Sequence, residues 1–234
     1  MLSGSNRNDN QKILDSLISD IKRPLVLIAR QAELGKTEEG HTPPLKAIQE
    51  TAEKTLKLID SYLLAAQSEY GQQLLPVKSF AVGSVIYNVA EEIRLIAKKA
   101  NVDVVLDVND ALVMANPEGV KAAIWCLSDM VLTQTLAEKS SGVMEINAKK
   151  SQGGIKVSVL SKSMKVKNSD LDKTQEKLGR SHMAFSSASS DSGVRLAIAK
   201  LLGDSLGTSL KAVRSKHTQG LGFNLSLSRQ LQLV

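Results

Sequence analysis

From Ile13 the apolar residues fall at Ile13, Leu14, Leu17, Ile18, Ile21, Leu25 and Ile28, the three-and-four spacing of a helix with one buried stripe. Pro24 lies inside that run, where a proline costs about 3 kcal/mol because it has no N–H and clashes with the preceding turn. The polar stretch Gly35 to Pro44 then predicts a loop. Beyond it Leu45, Ile48, Ala52, Leu56, Ile59, Leu63 and Ala66 repeat in a heptad-like seam. Two such helices cannot bury both faces alone, so the pattern predicts an antiparallel hairpin that dimerises into a four-helix bundle. Its seam comprises Ile21, Leu25, Ile28, Leu45, Ile48, Ala52, Leu56, Ile59 and Leu63.

After Tyr70 the texture changes. Residues 76–81 look extended, and 82–100 carry Ile86, Val89, Ile93 and Ile96 on one helical face. Residues 102–108 and 111–115 predict two strands joined by a turn at Asn109-Asp110. Asn116-Pro117 marks a helix start, since proline at the first helical position needs no N–H. Strands follow at 143–150 and 154–162, then a surface loop over 163–191 with a short helix near 171–178. A helix over 192–207 closed by glycine and a terminal hairpin complete the pattern. The order implies an α+β chain: a flexible arm (1–10), a helical hairpin (11–70), and an α/β sandwich (71–234) with helices on one face of a mixed sheet.

Composition narrows the chemistry. One cysteine, Cys126, rules out a disulfide framework and, with three histidines, leaves too few soft ligands for a structural zinc site. No apolar run reaches the roughly 18 residues of a membrane span, and the polar start lacks a signal-peptide core. A cytoplasmic location is the expectation. The net charge of +6 comes from scattered lysines, and aromatics are only 3% of residues, so nucleic acid is a poor fit as partner.

Three stretches carry a family resemblance: IKRPL in the first helix, VDVVLDVNDALVMANPEGVKAAIWCLSDMV, and SGVRLAIAKLLGDSLGTSLKA. Their order and spacing, from about Ile13 to Leu227, resemble bacterial sensor histidine kinases. The resemblance implies a dimerisation and phosphotransfer hairpin followed by an ATP-binding domain of the Bergerat (GHKL) fold. It also implies where the reactive residues should stand. Counting back from Pro24-Leu25, Arg23, Lys22 and Asp20 fill the polar, basic and acidic positions, and Ser19 falls on the phosphoacceptor histidine. Imidazole is the nucleophile of that chemistry; serine has a far higher pKa and forms a different, stable ester.

The nucleotide boxes depart from the family in the same way. Cys126 and Met130 stand where the asparagine box supplies a Mg²⁺ ligand, and a thioether offers no hard oxygen. Ser161, Ser163 and Lys165 replace the aspartate and two glycines of the Asp-x-Gly-x-Gly box. In the last glycine-rich box Asp191, Gly193 and Arg195 fill the three glycine positions. The resemblance thus implies a kept fold without ATP chemistry, needing no cofactor or metal and having no catalytic residue. Such a homologue would act as a homodimer by binding a response-regulator receiver domain or a related kinase, through Ser19, Asp20, Lys22 and Arg23. A histidine phosphotransferase or a small-ligand binder on the same architecture is the alternative.

Several residues have a plainer account beside the functional one. Cys126 reads as a buried inert thiol and Trp125 as an interface or core anchor. His41 in the hairpin loop is a substitute phosphoacceptor only if partners can reach it; His182 and His217 read as exposed. The lysines of the 162–180 segment make a solvated loop or an anion contact. Ser19, Asp20, Lys22 and Arg23 form either a solvated helix face or a docking face.

Overall fold

The computed structural model describes residues 21, 24–28, 30–31, 43–69, 76–137, 142–164, 168, 171, 190–215 and 217–228. Residues 21, 24–28 and 30–31 are helical, with Pro24 inside the run as the pattern predicts. Most of the first helix, Ser19, Asp20, Lys22 and Arg23 included, lies outside the described residues, as do Lys165 and nearly all of the 165–189 segment.

Helix α1 (Pro43–Glu69) runs the length of the second heptad pattern. Its hydroxyls are absorbed locally: Thr51, Thr55 and Ser61 each donate to the carbonyl four residues back, at 2.7 Å. The helix has two working faces. Leu58, Ser61, Tyr62 and Ala65 are buried against the rest of the molecule, whereas Leu56 and Leu63, seven residues apart on the other side, are 58% and 50% exposed.

The α/β layer follows in chain order as β1 (Lys78–Ala81), α2 (Val82–Lys99), β2 (Val102–Val108), β3 (Leu112–Ala115), α3 (Pro117–Ala137), β4 (Gly142–Ser151), β5 (Gly154–Ser161), α4 (Ser190–Ser205), β6 (Lys211–Ser215) and β7 (Thr218–Leu227). Asn116 starts α3 as foreseen: the Gly119 N–H donates to its Oδ1 at 2.7 Å, while its own amide donates to the Pro76 carbonyl at 3.1 Å. Gly207 (φ 69°) closes α4 in the left-handed conformation, its N–H on the Asp204 carbonyl at 3.0 Å. The β4–β5 hairpin turns at Gly153 (φ 82°).

The strands form one seven-stranded sheet in the order β1-β3-β7-β5-β4-β2, with β6 also paired to β7. Among the described strands only β2–β4 pair in parallel. One expectation fails here. β2 and β3 are not a hairpin: β2 pairs with β4 at one edge, and β3 pairs with β1 and β7 toward the other. The Asn109-Asp110 link is a crossing between edges. The Asn109 N–H reaches the Ala148 carbonyl at 2.8 Å, and Asp110 Oδ1 accepts from the Gly83 N–H at 3.0 Å. Asp110 thereby supplies the N-terminal cap that Ala81, the residue preceding α2, has no side chain to make.

Ile146, Ala148, Val157, Val159, Leu221 and Phe223 face the helices and are buried. The core lies between them and α2, α3 and α4. α3 is apolar almost all round, from Val120 through Leu132, as a helix enclosed on every side must be.

Candidate functional site

Two of the stretches that carry the family resemblance fall on α3 and α4, and the fold sets these helices against each other, with α1 packed on both. At their junction stands Asp129 of α3, fully buried. The Arg195 guanidinium of α4, itself 8% exposed, donates from Nε to Asp129 Oδ2. Lys54 Nζ of α1 comes within 2.8 Å of Oδ1. A buried carboxylate is tolerated only when paired, and these two cations pair it from two different helices. Arg195 is therefore a structural cation, and the Asp129 carboxylate is its anchor.

At the end of β5 the positions singled out in the sequence form a chain of hydroxyls. Ser161, at the end of β5, is buried; its Oγ lies 2.9 Å from Ser163 Oγ, which lies 3.1 Å from Thr135 Oγ1 on α3. Thr135 in turn donates to the Val131 carbonyl at 2.9 Å. The chain of hydroxyls satisfies these groups internally, where an aspartate and two glycines would leave donors, acceptors and open backbone for a ligand.

Cys126 and Met130 are buried in the core, at 0% and 3% exposure. Burial pushes the Cys126 thiol up to about 12, opposed in part by the Ser61 hydroxyl. It is the inert thiol anticipated. Trp125, 3% exposed, anchors the α1 contact, with Lys57 Nζ 5.8 Å from its ring centroid. Gly193 is half-buried, and a Cβ there would meet nothing. Asp191 is helical, its side chain outside the described residues.

A second ionic cluster binds α1 to α2. Glu92 accepts from Lys57 at 2.5 Å and pairs with Lys121 of α3 at 3.1 Å, and Lys99 pairs with Glu50. Burial raises the Glu92 carboxyl, but the two lysines outweigh it and hold the group below its ordinary value. Beside this cluster a cavity of about 250 Å³ opens between α1, α2 and α3, lined by Ser61, Glu92 and Trp125 among others.

Of the seam residues, Leu25, Leu56 and Leu63 are exposed; Ile28, Ile48, Ala52 and Ile59 are half-buried. Ile21 packs instead on the core cluster of this same chain, and the side chain of Leu45 lies outside the described residues. His217 sits exposed in the β6–β7 turn. Lys54, Asp129 and Arg195 were not legible as a cluster. The one available signal was a lone acid in the apolar run CLSDMVL, which is costly unless a partner waits.

No protein-family model matches the sequence, and no curated protein matches it. Solved structures do. The Acinetobacter baumannii histidine kinase AdeS superposes with a TM-score of 0.63 at 13% identity, covering 90% of this chain and 98% of that one. A mycobacterial sensor histidine kinase, MprB, gives 0.50 at 16%, covering 65% and 98%. A bacterial phosphotransferase gives 0.51 at 16%, covering 96% and 98%. The fold is histidine-kinase-like, with the mixed sheet and one-sided helical layer of those structures. At such identities the likeness extends to the fold alone.

Proposed function

We propose that this histidine-kinase-like chain carries out no phosphoryl transfer of its own and acts in two-component-type signalling by binding. Its partner is a response-regulator receiver domain or an active kinase, which it sequesters or scaffolds. The observation that carries this is the Lys54–Asp129–Arg195 clamp. Two box positions where the family presents backbone and Mg²⁺ ligands to ATP here hold a side-chain cation and a buried thioether. Each would have to be displaced, and Asp129 left with Lys54 alone, before a nucleotide could lie between α3 and α4. Ser19 at the phosphoacceptor position supports the same view, as no imidazole stands there to take the phosphoryl group.

The exposed Leu56 and Leu63 favour a homodimer joined through the α1 face that this chain leaves uncovered. Receiver docking would use Ser19, Asp20, Lys22 and Arg23, beside Pro24. Calorimetric titration with ATP and Mg²⁺ tests the first claim: no heat of specific binding is expected, and micromolar Mg²⁺-dependent binding would overturn it. Pull-down from native lysate, with a Ser19→Ala/Arg23→Ala control, tests the second. A receiver domain or kinase captured by the wild type and lost by the control is the expected result.

A second reading draws on the end-to-end likeness to a bacterial phosphotransferase. On that reading the chain relays a phosphoryl group from a phosphorylated receiver, with His41 as the acceptor in place of Ser19. Acid-labile label on the chain after incubation with such a receiver, absent in His41→Ala, would establish it over the binding role.

A further inference from the structure

The sheet face turned away from the helices carries a groove that nothing in the proposed function uses. It is a cavity of about 250 Å³ between β4, β5 and β6. Cross-strand register fixes its floor: Asn147 stands opposite Ser158, and Lys149 opposite Lys156. Gly222 lies opposite Ser158 on the other side, where a Cβ would come within 2.8 Å of Ser158 Cβ and 3.1 Å of Val213 Cγ2. A bare glycine there keeps the floor clear. Lys150 and Arg214 lie at the margin, one step out of phase with these residues, on the rows of Ile155 and Gln219.

Two unfavourable features coincide here. Lys149 and Lys156 are like charges directly opposed across a strand pair, an arrangement that destabilises a sheet. Asp107 relieves Lys149 at 2.7 Å, but among the described residues Lys150, Lys156 and Arg214 have no ion pair, and no carboxylate lines the groove. Below them Asn147 is 3% exposed, and its Oδ1 has no hydrogen-bond partner. Ser158 beside it is 4% exposed. Natural sheets seldom retain an unpaired buried carboxamide without a reason.

One kind of ligand answers both. The cations call for an anion; the Asn147 acceptor calls for a hydroxyl donor on the same molecule. The volume lies below the roughly 300–1,000 Å³ of drug-sized pockets, which suits a compact ligand. We propose that this outer-face groove binds a small phosphorylated polyol of the sugar-monophosphate class. Its phosphate would lie against Lys149 and Lys156, and a hydroxyl would reach Asn147 and Ser158. The site is independent of the nucleotide boxes, on the opposite side of the sheet from α3 and α4.

Calorimetry on the full chain tests it, with ribose 5-phosphate, ribose and inorganic phosphate as probes. Ribose 5-phosphate is expected to bind below millimolar concentration, each half-ligand about tenfold or more weaker, and binding to weaken as salt screens the rim. The rim variant Lys156→Gln, altered only at an exposed side chain, should lose about tenfold or more in affinity with an unchanged urea midpoint. Asn147→Leu should bring ribose 5-phosphate down to the level of inorganic phosphate. Should that variant misfold, Ser158→Ala gives the same comparison. Equal binding of ribose 5-phosphate and inorganic phosphate by the wild type would reduce the groove to a non-specific charged surface and overturn the proposal. So would the absence of binding in the millimolar range, or full affinity in the rim variant.

Discussion

Replacing Arg195 by methionine isolates the clamp on which the functional reading rests. The change keeps the length and apolar body of the side chain but strips one of two cations from Asp129, which is fully buried. Breaking a buried ion pair from one side costs about 3–5 kcal/mol, most of it the penalty of a charge left in a poor solvent. Lys54 remains 2.8 Å from the other oxygen, so the lower end, about 3 kcal/mol, is the fitting figure for Arg195→Met. That is about a hundredfold in the folding equilibrium, and about 1 M in urea midpoint for an m-value of 2–3 kcal/mol/M. Lys54→Met should cost only about 1 kcal/mol, since the Lys54 side chain is one-third exposed and the Arg195–Asp129 pair survives it. The decisive variant is Asp129→Leu/Arg195→Met, which removes both buried charges and should return to within about 1 kcal/mol of wild type. Urea unfolding followed by circular dichroism measures all three. An Arg195→Met variant as stable as wild type would refute the clamp. A double variant no better than Arg195→Met would show that packing, and not charge, sets the cost.

Other expectations follow from the same packing. Cys126, buried and with its thiol near 12, should stay unreacted with Ellman's reagent at pH 8 until the chain is unfolded, and then react fully. A fast native-state reaction would place it at the surface. Glu92 sits below its ordinary value of 4.5 in the folded state, so its contribution is complete above that pH and is lost as pH falls through the depressed folded value. Glu92→Gln should therefore destabilise the protein at neutral pH, and the gap from wild type should close on acidification; a gap constant with pH would refute the pairing with Lys57 and Lys121. Leu56→Glu/Leu63→Glu should convert a dimer to a monomer in light scattering with little change in the circular dichroism of the α/β layer. An unaltered mass would remove the α1 face from the interface.

Much of the fold was legible because its causes are local. The Asn116-Pro117 start of α3, the glycine stop of α4 and the turn at Gly153 each follow from what one or two residues do to their own backbone. The periodicity of α1 and α2, and the strands from β2 to β7, follow from apolar spacing in the same way. Of the residues the family resemblance pointed to, Cys126, Met130, Ser161 and Arg195 are all buried.

Partnership between distant segments was not legible. Asn109-Asp110 has the composition of a hairpin turn, yet the competition among strands for edges sends β2 and β3 to different neighbours. Asp129 is only a lone acid in an apolar run until α1 and α4 bring Lys54 and Arg195 to it, 75 and 66 residues away in the chain. The seam of α1 was visible as a repeat, but its second face, through Leu58, Tyr62 and Ala65, is defined only by what packs on it. Sequence pattern reports which groups each residue prefers, water or its own kind. Which particular group satisfies a buried charge or an orphaned amide is decided only when the chain closes, because in water every such group already has a partner.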